Sequence, residues 1–228
     1  MEYPVSALCL RKVQNTVLKS IYANMKAAIY MLGVEHLFKC VDSRLEITYT
    51  PRGNKIYFSG ADDPEKIKSI KDAKYPIAIM VIEELAEFKS EDEVTMIENS
   101  VLRAELDIES DYRPGRKFAY SFYYMYNPPK RKHNWVNKKY ESAFIDKNTY
   151  VHHSTYLGNP YVSKAFIEEA ENVKKRNELK YRWEYMGEAI GSGIVPFPNL
   201  EFRTITDEEF NSFDNLRQGM DEGYCIAS

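Results

Sequence analysis

An α/β fold with a mostly parallel sheet is the architecture this sequence predicts, on three observations. Short apolar segments alternate with stretches of helical periodicity through most of the chain. The stretch "YPIAIMVIEELAEF", Tyr75 to Phe88, holds an unbroken apolar run of the kind a buried strand needs, with two adjacent glutamates directly behind it. At 228 residues the chain can bury a sizeable core, as one large domain or as one domain with a small appendage.

The elements follow in order. "SALCLRK" reads as a buried strand ending in charge. It leads into "NTVLKSIYANMKAAIYMLGV", where Val17, Ile21, Met25, Ala28, Ile29 and Leu32 recur at helical spacing; Asn15 or Thr16 can cap the start and Gly33 the end. "LEITYT" and "KIYFSG" flank "PRGN" and predict a β-hairpin with glycine in its turn. "DPEKIKSIK" predicts a short helix beginning near Pro64. After the apolar strand, a helix is expected through "EDEVTMIENSVLRAEL", with Ser90 and Glu93 forming a capping box. "KFAYSFYYMYNPP" predicts an aromatic strand stopped by two prolines, "TYVHHSTYL" a further strand, and 163–188 a long helical region. The Gly- and Pro-punctuated "GSGIVPFPN" marks a domain exit. Neither an internal repeat nor a low-complexity tract is present.

Composition excludes several function classes. A net charge of -3 gives no global attraction to nucleic acid, so DNA contact must rest on a local patch. The cysteines, Cys9, Cys40 and Cys225, are odd in number and lack CxxC spacing, which argues against a disulfide framework and against a zinc site. No apolar run approaches the ~20 residues that span a bilayer. "MEYPVSALCLRK" has no basic leader of a signal peptide, and the chain reads as cytoplasmic.

In open α/β sheets, ligands sit beyond the carboxyl ends of the strands. Glu83 and Glu84 fall there. After a buried strand, one carboxylate can hold Mg²⁺ while its neighbour orients a water against a γ-phosphate, the logic of a Walker B element. The competing reading is that Glu83, Glu84 and Glu87 simply open a solvated helix. In "YYMYNPPK", Asn127 can hydrogen-bond a phosphate or an attacking water, or it can serve only the turn that Asn-Pro-Pro favours. Lys130, Arg131, Lys132, Lys138 and Lys139 surround Trp135 and can grip a phosphodiester backbone; the alternative is solvated surface with Trp135 as an anchor. His152 and His153, adjacent on a strand, would point to opposite faces, one packed and one exposed.

Taken in order, "LRKVQNTVLKSIYANMKAAIYMLG", "LEITYTPRGNKIYFSGADDPEKIKSIK", "VIEELAEF", "YYMYNPPKRKHNWVNKKY", "VHHSTYLGNPY", "YRWEYMGEAIGSGIVPFPNLEFR" and "GMDEGY" resemble the large subunit of tailed-phage terminase through nearly the whole chain. The resemblance implies a P-loop NTPase-like, three-layer sandwich of the additional-strand class. It implies an ATP-driven motor that packages double-stranded DNA into procapsids, with an ATPase-like domain at 1–192. Residues 193–228 would then be a linker and the first strand of an RNase H-like nuclease domain. ATP and Mg²⁺ are the implied cofactors, with Glu83 and Glu84 as the catalytic pair, Glu83 on the metal, and Asn127 in the motif that couples hydrolysis to movement. Arg103 and Arg11 are the implied candidates for an arginine finger, and Asp221 for the first metal-binding acid of the nuclease. Implied partners are the terminase small subunit, the portal and procapsid, and further copies in a ring in the host cytoplasm; no membrane is involved.

Two departures from the family pattern accompany the likeness. No GxxxxGK[ST] occurs in the chain, which is therefore read as a terminase large subunit truncated at its N-terminus: an incomplete gene product, a prophage remnant or one piece of a split gene, whose phosphate-binding strand and helix a separate upstream polypeptide could supply. Glu222 stands where relatives often carry an aromatic residue, and most nuclease acids are missing. A catalytically inert DNA-binding or procapsid-docking module is the alternative, and an unrelated α/β enzyme using Glu83 and Glu84 as an acid/base pair ranks below it.

Overall fold

The first strand in the sequence is one of the two at the middle of the sheet. In the computed structural model, which describes residues 2–103, 105–141, 145–191 and 206–212, β1 (Ser6–Arg11) lies between β4 (Asn54–Gly60) and β5 (Ile77–Glu83). With β2 (Phe38–Val41), β3 (Glu46–Tyr49) and β6 (Ser121–Met125) the sheet has 6 strands in the order β2-β3-β4-β1-β5-β6. The β1–β4, β1–β5 and β5–β6 pairs are parallel, and the β2–β3 and β3–β4 pairs are antiparallel. The predicted mostly parallel α/β sheet is therefore observed. The carboxyl ends of β1, β4, β5 and β6 share one edge.

Alternation along the central strands separates two cores. Leu8, Leu10, Met80 and Ile82 face α3 (Pro64–Ser69), α4 (Glu91–Val101) and α5 (Trp135–Tyr140), which contribute Ile67, Val94, Ile97, Val101, Val136 and Tyr140. Cys9, Ile47, Ile56 and Phe58 face the other way, against Val17 of α1 (Gln14–Val17) and Ile21, Tyr22 and Ile29 of α2 (Ile21–Met31). Helices thus cover both faces, giving three layers. Each wholly buried side chain of this size stabilises the fold by ~1.5–3 kcal/mol.

Local chemistry explains most element ends. Gly33 takes φ 66° behind α2, and Gly53 takes φ 89° in the β3–β4 turn, both left-handed positions that glycine adopts without steric cost. Ser90 caps α4 by accepting from the Glu93 amide at 3.4 Å, and Glu93 returns the bond from the Lys89 amide at 3.0 Å. Gly60 lets α1 rest directly on the end of β4: its amide donates to Gln14 Oε1 at 2.7 Å, and a Cβ there would stand 2.4 Å from the Gln14 backbone.

Several sequence expectations are corrected. The helix expected from Asn15 to Gly33 is split into α1 and α2 by Ser20, whose ψ of -106° is not helical, and neither Asn15 nor Thr16 caps it. The 163–188 helix is split into α6 (Lys164–Arg176) and α7 (Glu178–Glu184) at Asn177, whose side chain accepts from the Lys180 amide and starts the second piece. α4 ends at Val101, short of the expected stop. "TYVHHSTYL" is not a strand; its β-branched and aromatic residues find no sheet neighbour, and only a 3-10 turn at Tyr156–Gly158 forms. His152 and His153 are both exposed, and the Met186 carbonyl accepts from His153 Nε2 at 2.9 Å. The basic stretch around Trp135 contains α5, unforeseen, as was β2.

The chain divides into two compact units, Met1–Gly193 and Ile194–Ser228. Within the second, α8 (Asp207–Asn211) begins at Thr206, whose Oγ1 accepts from the Glu209 amide. Asp221 lies outside the described residues.

Candidate functional site

The parallel register sets the site. Leu10 pairs with Ile82 and Glu83 with Met125, so the end of β1, the end of β5 and the tip of β6 lie side by side. At that edge Arg11 Nε stands 3.5 Å from Glu83 Oε2, and Arg11 Nη2 stands 3.7 Å from Glu87 Oε1. Asn24, from α2, donates to Glu83 Oε1 at 3.4 Å. The Arg11 and Glu83 side chains are only 18% and 19% exposed, and Arg11 Nε and Glu83 Oε2 have no hydrogen-bond partner. They attract one another as charges without a directed bond, which leaves part of their desolvation cost unrecovered. Burial pushes the Cys9 thiol behind them up to about 12, and the charge of Glu83 adds to the effect.

Glu84 adopts φ 57° and ψ 53°, a left-handed conformation that a side-chain-bearing residue enters at a cost of order 1 kcal/mol. Its neighbours enforce it. Leu85 is fully buried and Phe88 is 2% exposed, so the chain must turn sharply at the end of β5 to drive both into the core. Trp135 Nε1 donates to the Phe88 carbonyl at 2.8 Å and fixes the far side of that turn. Lys12 pairs with Glu93 and lies 5.4 Å over the Phe88 ring. Burial pulls the Glu93 carboxyl up, but the Lys12 hydrogen bond and the Lys89 amide outweigh it and hold Glu93 below the usual carboxylate range. The result is a pair of consecutive half-buried carboxylates: Glu83 held by Arg11 and Asn24, and Glu84 turned out of the strand.

The other expected residues are dispersed around this pair. Asn127 is exposed just past Met125, hence at the same edge as Glu83. Lys130 sits 5.5 Å over the Trp183 ring, and Lys139 is paired with Glu91 at 2.7 Å. Arg131, Lys132 and Lys138 are exposed, whereas Trp135 is half-buried and serves as the anchor just described. Arg103 lies just past the C-terminal end of α4 and donates to the Ser100 and Lys68 carbonyls, not to Glu83 or Glu84. Asn137, which the sequence did not single out, is 2% exposed and donates from Nδ2 to the carbonyls of Pro129 and Arg131. No local sequence signal marks it, because both carbonyls it bonds lie several residues away.

Among the described residues no group of three or more His, Cys, Asp or Glu side chains could hold a metal by itself. Mg²⁺ does not require one: it commonly takes one or two carboxylates and fills its octahedron with water and phosphate oxygens. Glu83 Oε2, which accepts no hydrogen bond and faces only the Arg11 charge, fits such a ligand. Among the described residues no helix is long and apolar enough to cross a membrane.

Comparison with known proteins places the chain in a family. Residues 1–188 match the family model described as phage terminase large subunit. The chain is 59% identical over 226 residues to the terminase large subunit of Bacillus phage SPP1, covering 98% of this chain and 52% of that protein. It is 26% identical over 200 residues to the PBSX phage terminase large subunit of Bacillus subtilis (strain 168), covering 86% of this chain and 45% of that one. The chain thus spans about half the length of the curated relatives it matches. Its fold is similar to that of a large terminase from a thermophilic bacteriophage, with a TM-score of 0.58 at 16% identity over 82% of this chain and 41% of the other. The HK97 bacteriophage large terminase gives a TM-score of 0.54 at 8% identity, over 82% and 40%. Matched along residues 1–188 by the family model and 59% identical to a curated terminase large subunit, this chain belongs to the phage terminase large subunit family.

Proposed function

We propose that this chain forms part of an ATP-driven motor that moves double-stranded DNA into a procapsid, with Glu83 and Glu84 as its Walker B pair. The observation that carries the reading is the convergence of two half-buried carboxylates and Asn127 on the carboxyl edge of β5 and β6. Glu83, desolvated and held by Arg11 and Asn24, is suited to Mg²⁺ together with nucleotide phosphates. When bound, Mg²⁺ offsets phosphate charge. Glu84, turned out of the strand, is suited to accept a proton from the attacking water through a carboxylate oxygen. Asn127 is suited to sense the γ-phosphate from the adjacent tip. The glycine-rich loop that cradles phosphates is not among these 228 residues, and the proposal takes it from another segment or polypeptide.

DNA would lie against the exposed Arg131, Lys132 and Lys138, with Lys130 and Lys139 nearby. Their contacts are to backbone phosphate, as a sequence-independent motor requires. Of the two cations proposed to reach a neighbouring subunit's nucleotide, Arg11 would have to leave Glu83 and Glu87, and Arg103 the carbonyls of Ser100 and Lys68. A ring of copies, the small subunit and the portal complete the proposed assembly. Residues 193–228 are proposed as the passage into a nuclease domain whose first metal-binding acid is Asp221.

Thermal unfolding with ATP, with and without Mg²⁺, tests the site, because a ligand that binds only the folded state raises the midpoint. The expected result is a Mg²⁺-dependent rise that Glu83→Ala abolishes. No rise at saturating ATP, with the upstream phosphate-binding segment present, would overturn the proposal in favour of an inert docking module.

A further inference from the structure

The segment immediately after Asn127 is held in an unusual way. Pro128 and Pro129 have no amide hydrogen, so this loop is fixed through its carbonyls. Pro128 O accepts from Trp183 Nε1 at 3.0 Å, and Pro129 O from Asn137 Nδ2 at 2.7 Å. Lys130 O accepts from the Gly191 amide at 2.8 Å, and Arg131 O from Asn137 Nδ2 and the Asn134 amide, each at 3.0 Å. Successive carbonyls thus take donors from two different sources. Asn137 and Asn134 belong to the α5 side, rooted in the sheet's core through Val136 and Tyr140. Trp183 and Gly191 belong to the α7 side, whose own small core is Ala170, Val173 and Tyr181. Two further contacts hold the second side: Lys130 Nζ over the Trp183 ring, and a tight fit at Gly187, where a Cβ would meet His153 Cε1 at 3.0 Å and Pro128 Cδ at 3.7 Å.

We infer that Asn137 and Trp183 are paired positioning residues that make the Pro128–Arg131 loop a relay between the Asn127 tip and the α6–α7 pair. Asn137 is the fixed end. Its side chain is buried and bonds the carbonyls of Pro129 and Arg131 at once, so it anchors that half of the loop, while Pro128 is held from the α7 side. Trp183 is the movable end: a half-buried indole that holds the loop by one N–H bond to Pro128 and by its ring beneath the Lys130 ammonium. A shift of Asn127 therefore pulls on Pro128 and is passed to α7. Releasing Trp183 strands no loop amide, because the adjoining prolines carry none. The inference deepens the proposed function by naming what carries motion away from that site, and rests on it for Asn127.

The test begins with a readout that needs no nucleotide. Amide exchange is followed at Gly191 and Asn134, each donating to a loop carbonyl from its own side. Asn137→Asp, which removes the Nδ2 donors, should speed exchange at Gly191 about tenfold, and Trp183→Phe, which removes only the indole N–H, should speed Asn134 by several-fold. Amides of β5 should be unchanged in both. If each substitution is felt only on its own side, the relay is overturned. The second readout is DNA packaged per ATP consumed in the complete packaging assembly. Trp183→Phe should keep ATP turnover while this ratio falls about tenfold, whereas a purely structural role would lower both together and defeat the inference. Glu83→Ala separates the two ideas: unchanged ATP turnover there would sink the nucleotide-site reading while leaving the cross-loop exchange result to stand or fall alone.

Discussion

The central sheet and the α6–α7 pair solve the same packing problem with different materials. Leu8, Leu10, Met80 and Ile82 are at most 1% exposed and interdigitate with helices on a continuous aliphatic surface. The α6–α7 pair buries only Ala170, Val173 and Tyr181 and relies on rings, Tyr156, Phe166, Tyr181 and Tyr185, with centroids 5.5 to 6.5 Å apart. Phe166, Ile167 and Leu179 stay 43 to 49% exposed. Close-packed aliphatic layers resist any opening that exposes them, while a small aromatic cluster opens at far lower cost. The difference predicts a rigid frame beside an element that opens at lower cost.

The sharpest way to break this comparison is at Ile82. Ile82→Ala should cost ~3 kcal/mol and lower the global thermal midpoint, because a cavity would form in a dense layer. Tyr181→Ala should cost ~2 kcal/mol locally. Exchange should rise through α6 and α7 with β5 protected; a matching rise in β5 would show that the two regions are one cooperative unit.

Acid should act on the frame. Glu93 and Asp72 both sit in it, each held below its ordinary value. For Asp72, burial pulls upward and is outweighed by the Ser6 hydroxyl and the Lys74 and Tyr75 amides. A depressed carboxyl contributes stability above its unfolded value, and that contribution is lost as pH falls through the folded value. Unfolding by denaturant from about pH 6 down to pH 3 should therefore show a loss on the order of 1–2 kcal/mol. Lys12→Met should shrink the Glu93 share. The smallest expected effect has the opposite sign: Glu84→Gly should gain ~0.5–1 kcal/mol by relieving the left-handed strain while removing the proposed base. Calorimetry beside an ATPase assay would separate the two consequences.

What the sequence revealed follows the same division. β1, β5, the β3–β4 hairpin and the α4 capping box were legible because their signals are local: apolar runs, a glycine turn and a Ser–Glu pair. Glu83 and Glu84 could be found as the residues behind a buried strand. Their surroundings could not, since Arg11 and Asn24 reach Glu83 only through the parallel register and the packing of α2. The 149–157 strand does not form because β propensity needs a sheet neighbour, and among the described residues none pairs with it. α5 was hidden by its lysines, whose charge suggested loop although Val136 and Tyr140 point into the core. Asn137 was invisible for a similar reason: its importance lies in two carbonyls several residues away.

The place of β6 in the sheet has a practical consequence for handling the protein. It is the terminal strand, among the described residues nothing pairs with its outer side, and Tyr123 and Met125 are 57% and 47% exposed. An aromatic strand with a free row of amides and carbonyls templates further strands, so concentrated samples of this chain alone should be prone to aggregation that begins at β6.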